Sequence, residues 1–385
     1  MKLVNIEDLR SAAKRRLPRI FFDYLDGGAL DEATLRANRA DFDAYRLEQR
    51  VLTGHSEIDL STDFLGTRHA LPFMLGPIGF LGLFAGGGEI KAAKAAHAAG
   101  IPICISTFSI ASVGSVCRET TGPLHFQLYL QKDRALSEEV LHAAREAGVE
   151  TLFLTVDTAV TGIRERDIRN GFRAATRLTL RMFADMVRRP AWCVDMLRSG
   201  LPSVGMVSSR PEFGRGVLEQ AGNLSRSIDP AVSWKDVDWL RSRWKGRLVI
   251  KGVLSAADAK AAHAAGADGV VVSNHGGRQL DGASSTIAVL DEVRGAVQDD
   301  IEVLIDGGIR RGTDIVKCLA LGASGVLLGR AYAYGLAAAG QNGVSLAIVI
   351  LKEELAATVA LMGLGSIDEL KRSGPTTLRG SDQGL

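Results

Sequence analysis

Residues 268–273, DGVVVS, run straight into NHGG (274–277), so a β-branched apolar stretch stops on polar residues and glycine. A run this short and this continuously apolar reads as a strand buried on both faces, because a helix would need more length and an amphipathic period. Runs of the same build lie at 71–76, 102–106, 124–129, 151–156, 247–251, 301–305 and 324–328. Each is followed by Gly, Pro, Ser or Asn and then by an alanine-rich segment of helical period. Strands alternating with helices predict a parallel sheet, and eight such units predict an α/β protein of the (β/α)8 TIM-barrel class. Helix starts are marked by Ser233 with Asp236 and by Ser255 with Asp258, a side-chain cap with an acid three residues on. The segment AAHAAG occurs at 95–100 and again at 261–266, which reads as two copies of a helix end with Gly at the left-handed cap.

The 385 residues suffice for one large domain, mapped as a helical N-terminal flank (1–70), a barrel (71–335) and C-terminal helices (336–385). With 46 basic and 44 acidic residues the net charge is +2, so no global field selects nucleic acid. The four cysteines, at 104, 117, 193 and 318, form no C-x-x-C pair, which argues against a metal site or a disulfide framework and for a reducing compartment. The start of the chain, MKLVNIEDLRSAAKRRL, carries acids and lacks the apolar core of a signal peptide, and no uncharged apolar run is long enough to span a bilayer.

One spacing breaks the rhythm. Between the fourth and fifth runs lies a long insertion, 172–232. Its part 172–215 holds eight arginines (173, 177, 181, 188, 189, 198, 210 and 215) against Asp185, Asp195 and Glu212, a local excess of five positive charges. Leu178, Leu180, Met182, Phe183, Met186, Val187, Trp192, Val194, Met196 and Leu197 are interleaved with them. Basic, apolar and Trp together form the composition of a membrane-surface segment; an active-site lid or a subunit contact is the other reading.

In a barrel, chemistry gathers where strands end. The residues there are polar: Ser106, Gln127, Tyr129, Thr155, Asp157, Lys251, His275, Arg278, Asp306 and Arg310, with Gly308, Gly329 and Arg330. Gly307-Gly308 with Arg310 and Gly329-Arg330 follow the seventh and eighth runs, the recurrent phosphate site of barrels. Ser106, Gln127, Thr155 and Lys251 call for a large planar polar ligand across the barrel mouth, since buried polar groups need partners. Lys251 either stabilises negative charge on a reduced heterocycle or forms a Schiff base. Arg278, Arg164 and Tyr24 make a second anion clamp suited to a carboxylate.

Together these motifs resemble the FMN-dependent (S)-2-hydroxy acid dehydrogenases and oxidases, the family of L-lactate dehydrogenase, mandelate dehydrogenase and glycolate oxidase. The resemblance rests on FDYLDGGA (22–29), LGPIG (75–79), FQLY (126–129), LTVDT (154–158), Arg164 with RDIRNGF (166–172), SWKD (233–236), VIKG (249–252), SNHGGRQLDG (273–282), IDGGIRRGTD (305–314) and LGRAYAYGLA (328–337). It implies FMN as cofactor and His275 as the base, with Asp157 orienting it and Tyr129 hydrogen-bonding the substrate hydroxyl. Tyr24, Arg164 and Arg278 would hold the substrate carboxylate. Ile78, Gly79, Ser106, Gln127, Thr155, Lys251 and Ser273 would hold the flavin ring, and Asp306, Gly308, Arg310, Gly329 and Arg330 the ribityl chain and phosphate.

Gly79, where glycolate oxidase-like members carry alanine, and Phe108, where short-chain oxidases tend to carry tryptophan, imply a roomy apolar pocket. The insertion resembles the segment that seats bacterial lactate and mandelate dehydrogenases on the cytoplasmic side of the inner membrane, implying quinone as electron acceptor. A soluble cytoplasmic oxidase using O2 is the alternative. The resemblance also implies a homotetramer. His275 would take either the Cα or the hydroxyl proton of the substrate, and the sequence leaves that choice open.

Overall fold

Every one of the eight apolar runs forms a strand in the computed structural model, which describes residues 2–172 and 179–380. Before the barrel come three short strands, β1 (Tyr45–Leu47), β2 (Thr62–Phe64) and β3 (Thr67–His69). The barrel strands are β4 (Phe73–Leu75), β5 (Ile103–Ser106), β6 (Leu124–Leu128), β7 (Thr151–Thr155), β8 (Arg247–Val253), β9 (Gly269–Val272), β10 (Glu302–Ile305) and β11 (Gly325–Leu328). They are parallel and closed in sequence order, with β11 paired to β4.

The strands are apolar throughout because their alternating residues enter two different cores. Met74, Cys104, Phe153, Val249, Val271, Leu304 and Leu327 fill the barrel interior. Their neighbours Leu75, Ile105, Leu154, Ile250, Val272, Ile305 and Leu328 pack outward against the helices. Two residues beyond the interior set, the same face carries Gly76, Ser106, Thr155, Lys251, Ser273, Asp306 and Gly329. The interior therefore changes from apolar to polar within one strand repeat, at the C-terminal end of the barrel.

The N-terminal flank departs from the mostly helical expectation. Helices α1 (Ile6–Arg16), α2 (Arg19–Asp26) and α3 (Ala33–Ala40) occupy its first half, but 45–70 is strand and loop. β2 and β3 form a hairpin whose two-residue loop, Leu65-Gly66, has φ of 52° and 73°, the signature of the primed turns that match strand twist. Phe64 and Leu65 from this hairpin join the interior cluster and stopper the N-terminal end of the barrel. The Leu65 amide donates to Glu302 Oε2 at 2.8 Å to hold the stopper in place.

At the other end lie the helix Arg330–Leu361, bent at Ala339 and Gly340, and the helix Ile367–Ser373. The strand β12 (Leu378–Gly380) was not expected; it pairs antiparallel with β1 and ties the two flanks together.

The insertion carries the helices Leu180–Val187, Pro190–Ser199 and Val217–Ser227. Arg173, Arg177 and Leu178 lie outside the described residues. Trp192 corrects the surface reading: it is 8% exposed, its ring lies 5.3 Å from that of Phe21, and its indole N–H donates to the Leu83 carbonyl at 2.9 Å. It anchors the insertion to the barrel. Asp195 adds a second tie through Arg16 at 3.0 Å, and Asp185 a third through the Arg19 amide at 2.6 Å. Leu180, Phe183, Val187, Leu197 and Leu201 stay exposed, beside exposed Arg181, Arg188 and Arg198. Among the described residues no helix is long and apolar enough to cross a membrane.

Candidate active site

A cavity of ≈ 490 Å³ opens at the C-terminal end of the barrel. All the expected site residues line it except Asp157 and Ser273, which stand behind its wall. Ser106 Oγ donates to Gln127 Oε1 at 3.1 Å, while Gln127 Nε2, Thr155 Oγ1 and Asp306 Oδ1 are buried without a hydrogen-bond partner. Each such orphan costs about 1–3 kcal/mol, so their convergence on one cavity fits a planar guest that supplies the missing donors and acceptors.

Lys251 Nζ lies 3.0 Å from Asp306 Oδ2 and donates to Ser273 Oγ at 2.9 Å. Burial works against its charge, yet Asp306 and Asp157 raise its pKa, so it stays an ammonium. Ser273 supports this ammonium from behind the cavity wall. It is fully buried, and its hydroxyl oxygen receives both Lys251 and the His275 amide, the latter at 3.1 Å.

His275, Gly276 and Gly277 form a run of left-handed residues, with φ of 57°, 66° and 73°. The bend brings the imidazole to the cavity and its Nδ1 to 2.9 Å from Asp157 Oδ1. Burial would raise the Asp157 pKa, but His275 and Lys251 outweigh it and the carboxyl is held below its ordinary value. An ionised Asp157 keeps the ring proton on Nδ1 and leaves the Nε2 lone pair open to a new proton. For His275 the direction is also downward: burial lowers its pKa, Asp157 opposes without cancelling, and Lys251 and Arg164 lower it further.

The three residues expected to clamp a carboxylate come from three segments. Arg278 Nη1 donates to the Tyr24 carbonyl at 2.6 Å and the Gly27 carbonyl at 2.8 Å, with its guanidinium 4.8 Å from the Tyr24 ring centre. Arg164 is 7% exposed; its Nε donates to the Arg278 carbonyl at 3.2 Å. Tyr129 and Phe108 meet edge to face at 5.6 Å, forming an aromatic wall. A Cβ on Gly79 would sit 2.8 Å from that of Phe108, so glycine there keeps the wall in place.

Gly307 and Gly308, which also line the cavity, have φ of 99° and 76°, and a Cβ on Gly308 would come within 1.7 Å of the Asn38 carbonyl oxygen. Only glycine fits this turn. The Arg310 guanidinium lies 5.3 Å from the Tyr334 ring centre. Arg330, at the N-terminus of a helix, donates to the carbonyls of Leu25, Gly27 and Gly276; burial, then Arg278, brings its pKa down to about 10. A phosphate would meet two cations and a helix N-terminus here.

Two residues inside the quoted motif went unassigned in the sequence. Gln279 Nε2 donates to the carbonyls of Asp157 and Val160, each at 2.9 Å, and its Oε1 accepts from Gly162 N and Arg164 Nη2. It grips the loop that carries both Asp157 and Arg164. Asn274 exchanges reciprocal amide hydrogen bonds of 2.8 Å with Asn38 and so ties the histidine loop to α3. Their amide side chains, with donor and acceptor side by side, were the only local hint.

A family model described as FMN-dependent dehydrogenase matches residues 13–376. The L-lactate dehydrogenase of Caulobacter sp. (strain K31) is 43% identical over 374 residues, 97% of this chain and 98% of that protein. That of Azorhizobium caulinodans is 44% identical over 366 residues, covering 95% and 96%. Among solved structures, one described as the monotopic membrane protein (S)-mandelate dehydrogenase superposes with a TM-score of 0.94 at 40% identity, over 99% of this chain and 100% of that one. A mandelate oxidase with (S)-4-hydroxymandelic acid gives 0.84 at 36% identity, with 98% of each chain covered.

Proposed function

The chain belongs to the FMN-dependent dehydrogenase family, and from that premise we propose that it oxidises (S)-2-hydroxy acids with apolar or aromatic side chains to 2-oxo acids and delivers the electrons to quinone. Family membership makes it an FMN-dependent 2-hydroxy acid oxidoreductase of the lactate and mandelate type. The observation that supports proton abstraction from a hydroxy acid is the His275–Asp157 pair at 2.9 Å, with His275 on the same cavity as the arginines 164 and 278.

FMN, when bound, supplies the two-electron acceptor for the oxidation. Ile78, Gly79, Ser106, Gln127, Thr155, Lys251 and Ser273 would hold its ring, and Asp306, Gly308, Arg310, Gly329 and Arg330 would hold its ribityl chain and phosphate. The buried atoms of Gln127, Thr155 and Asp306 that lack partners support this assignment. Arg278, Arg164 and Tyr24 fix the substrate carboxylate, which turns an encounter of two molecules into a reaction within one complex. Tyr129 hydrogen-bonds the substrate hydroxyl. His275 receives the substrate proton at Nε2, and Asp157 stabilises the imidazolium that results.

Anaerobic addition of L-lactate or (S)-mandelate is expected to bleach the flavin absorbance, and the (R)-acids are expected not to. Gly79→Ala puts a methyl against Phe108, so it should lower kcat/KM for (S)-mandelate by about tenfold or more relative to L-lactate. Activity restricted to glycolate would refute the roomy pocket.

The exposed apolar and arginine side chains of the insertion support a peripheral seat on an anionic membrane, where a lipid-soluble quinone is at hand. The protein should sediment with anionic vesicles at physiological salt, and Leu180→Asp with Phe183→Asp should release it. A protein that stays in the supernatant and makes peroxide at turnover speed would overturn the choice of quinone.

A further inference from the structure

Helix α2 ends beside the cavity, and the last carbonyls of a helix lack intrahelical partners. Here the partners are two arginines assigned to different ligands. Arg278 takes the carbonyls of Tyr24 and Gly27 at 2.6 and 2.8 Å; Arg330 takes those of Leu25 and Gly27 at 3.0 and 2.8 Å. The Gly27 carbonyl is shared by both.

Asp26, between these carbonyls, is 6% exposed. Its carboxylate accepts from Arg10 Nε and Nη2 at 2.6 and 2.9 Å, from Arg166 Nη1 at 3.1 Å and from the Tyr334 hydroxyl at 2.7 Å. Burial alone would raise its pKa, but Arg10 and the Tyr334 hydroxyl reverse this and hold it well below the usual carboxylate range. Tyr334 is also the ring beneath Arg310. The acid thus braces the helix end that aims Arg278 and Arg330, and through Tyr334 it braces Arg310 as well.

We propose that Asp26 is a positioning residue that couples the substrate-carboxylate clamp to the cofactor-phosphate clamp, so that loosening it weakens both ligands together although it lines neither site. The proposal rests on the assignment of Arg278 to substrate and of Arg310 and Arg330 to phosphate. The coupling is physical: one buried anion fixes one helix end, and one arginine of each clamp, Arg278 and Arg330, hangs from the carbonyls of that end.

The test uses the holoenzyme. FMN release on dilution, read by recovery of flavin fluorescence, gives the cofactor Kd; steady-state kinetics with saturating FMN gives kcat and the substrate KM. Tyr334→Phe removes one hydrogen bond and keeps the ring under Arg310, so the FMN Kd and the substrate KM should each rise roughly threefold to tenfold with kcat nearly unchanged. Asp26→Asn should raise both by about tenfold or more, and the double variant should add little to it because Tyr334 acts through Asp26. If Asp26→Asn fails to fold, Tyr334→Phe alone decides. A folded variant in which only one of the two constants moves, or in which only the melting temperature falls, overturns the proposal. A wild-type flavin that no 2-hydroxy acid bleaches would instead refute the functional reading.

Discussion

Replacing His275 by glutamine is expected to leave FMN bound and to slow its bleaching by substrate on the order of 10³–10⁴-fold, the upper part of the range for a positioned general base. Glutamine approximates the length of the imidazole and can still meet Asp157, but it cannot take up a proton near neutral pH. Because residue 275 has a φ of 57°, His275→Asn is the companion variant: asparagine tolerates the left-handed region, so a shared loss of bleaching cannot be blamed on a disturbed loop. Stopped-flow absorbance under anaerobic conditions reads the rate, and flavin fluorescence checks retention. Rapid bleaching in either variant would remove His275 from the role of base.

Asp157→Asn should lower kcat by about 10²-fold and shift the acid limb of kcat/KM. As the proposed base His275 works in its neutral form, so activity should rise as its proton is lost. Its pKa is lowered by burial and held up in part by Asp157, which places the wild-type limb below the ordinary imidazole value of about 6.5. With the carboxylate charge removed, the opposing influence is gone and the limb should move further to the acid side. The rate falls nonetheless, because an Asn nitrogen turned toward Nδ1 donates to it and leaves the ring proton on Nε2, where the base is needed. A pH profile of kcat/KM in the variant checks the sign. A limb that stays in place or moves upward would mean that Asp157 does not set the charge of His275.

Most of the barrel and the inner wall of its cavity can be read from the chain because both follow from a period of two. In TLFLT (151–155), Phe153 enters the interior, Leu152 and Leu154 meet the helices, and Thr155 turns polar on the interior face at the mouth. Burial on both faces makes such a strand apolar along its whole length, and the change to Thr, Lys, Ser and Asp marks the end where ligands bind. His275, Asp157, Arg164, Arg278 and the glycine turn at 307–308, the residues proposed for the site, stand just past a strand or in the loop that follows one.

Other features depend on partners far along the chain. The stopper hairpin looked like part of a helical flank, since Phe64 and Leu65 show their purpose only under Met74 and Leu327. Trp192 looked interfacial until Phe21 and the Leu83 carbonyl covered it. Ser273 lies at a strand end like its neighbours, and its hydroxyl meets the Lys251 ammonium from the adjacent strand. Asp26 read as one letter of a motif, whereas Arg10, Arg166 and Tyr334 reach it from separate helices. The sequence by itself determined the strands, their inward faces and the end of the barrel that carries chemistry, because periodicity is a local property of the chain. Only the tertiary structure decided which polar groups face a ligand and which brace those that do, because that depends on which donor from a distant segment reaches each acceptor first.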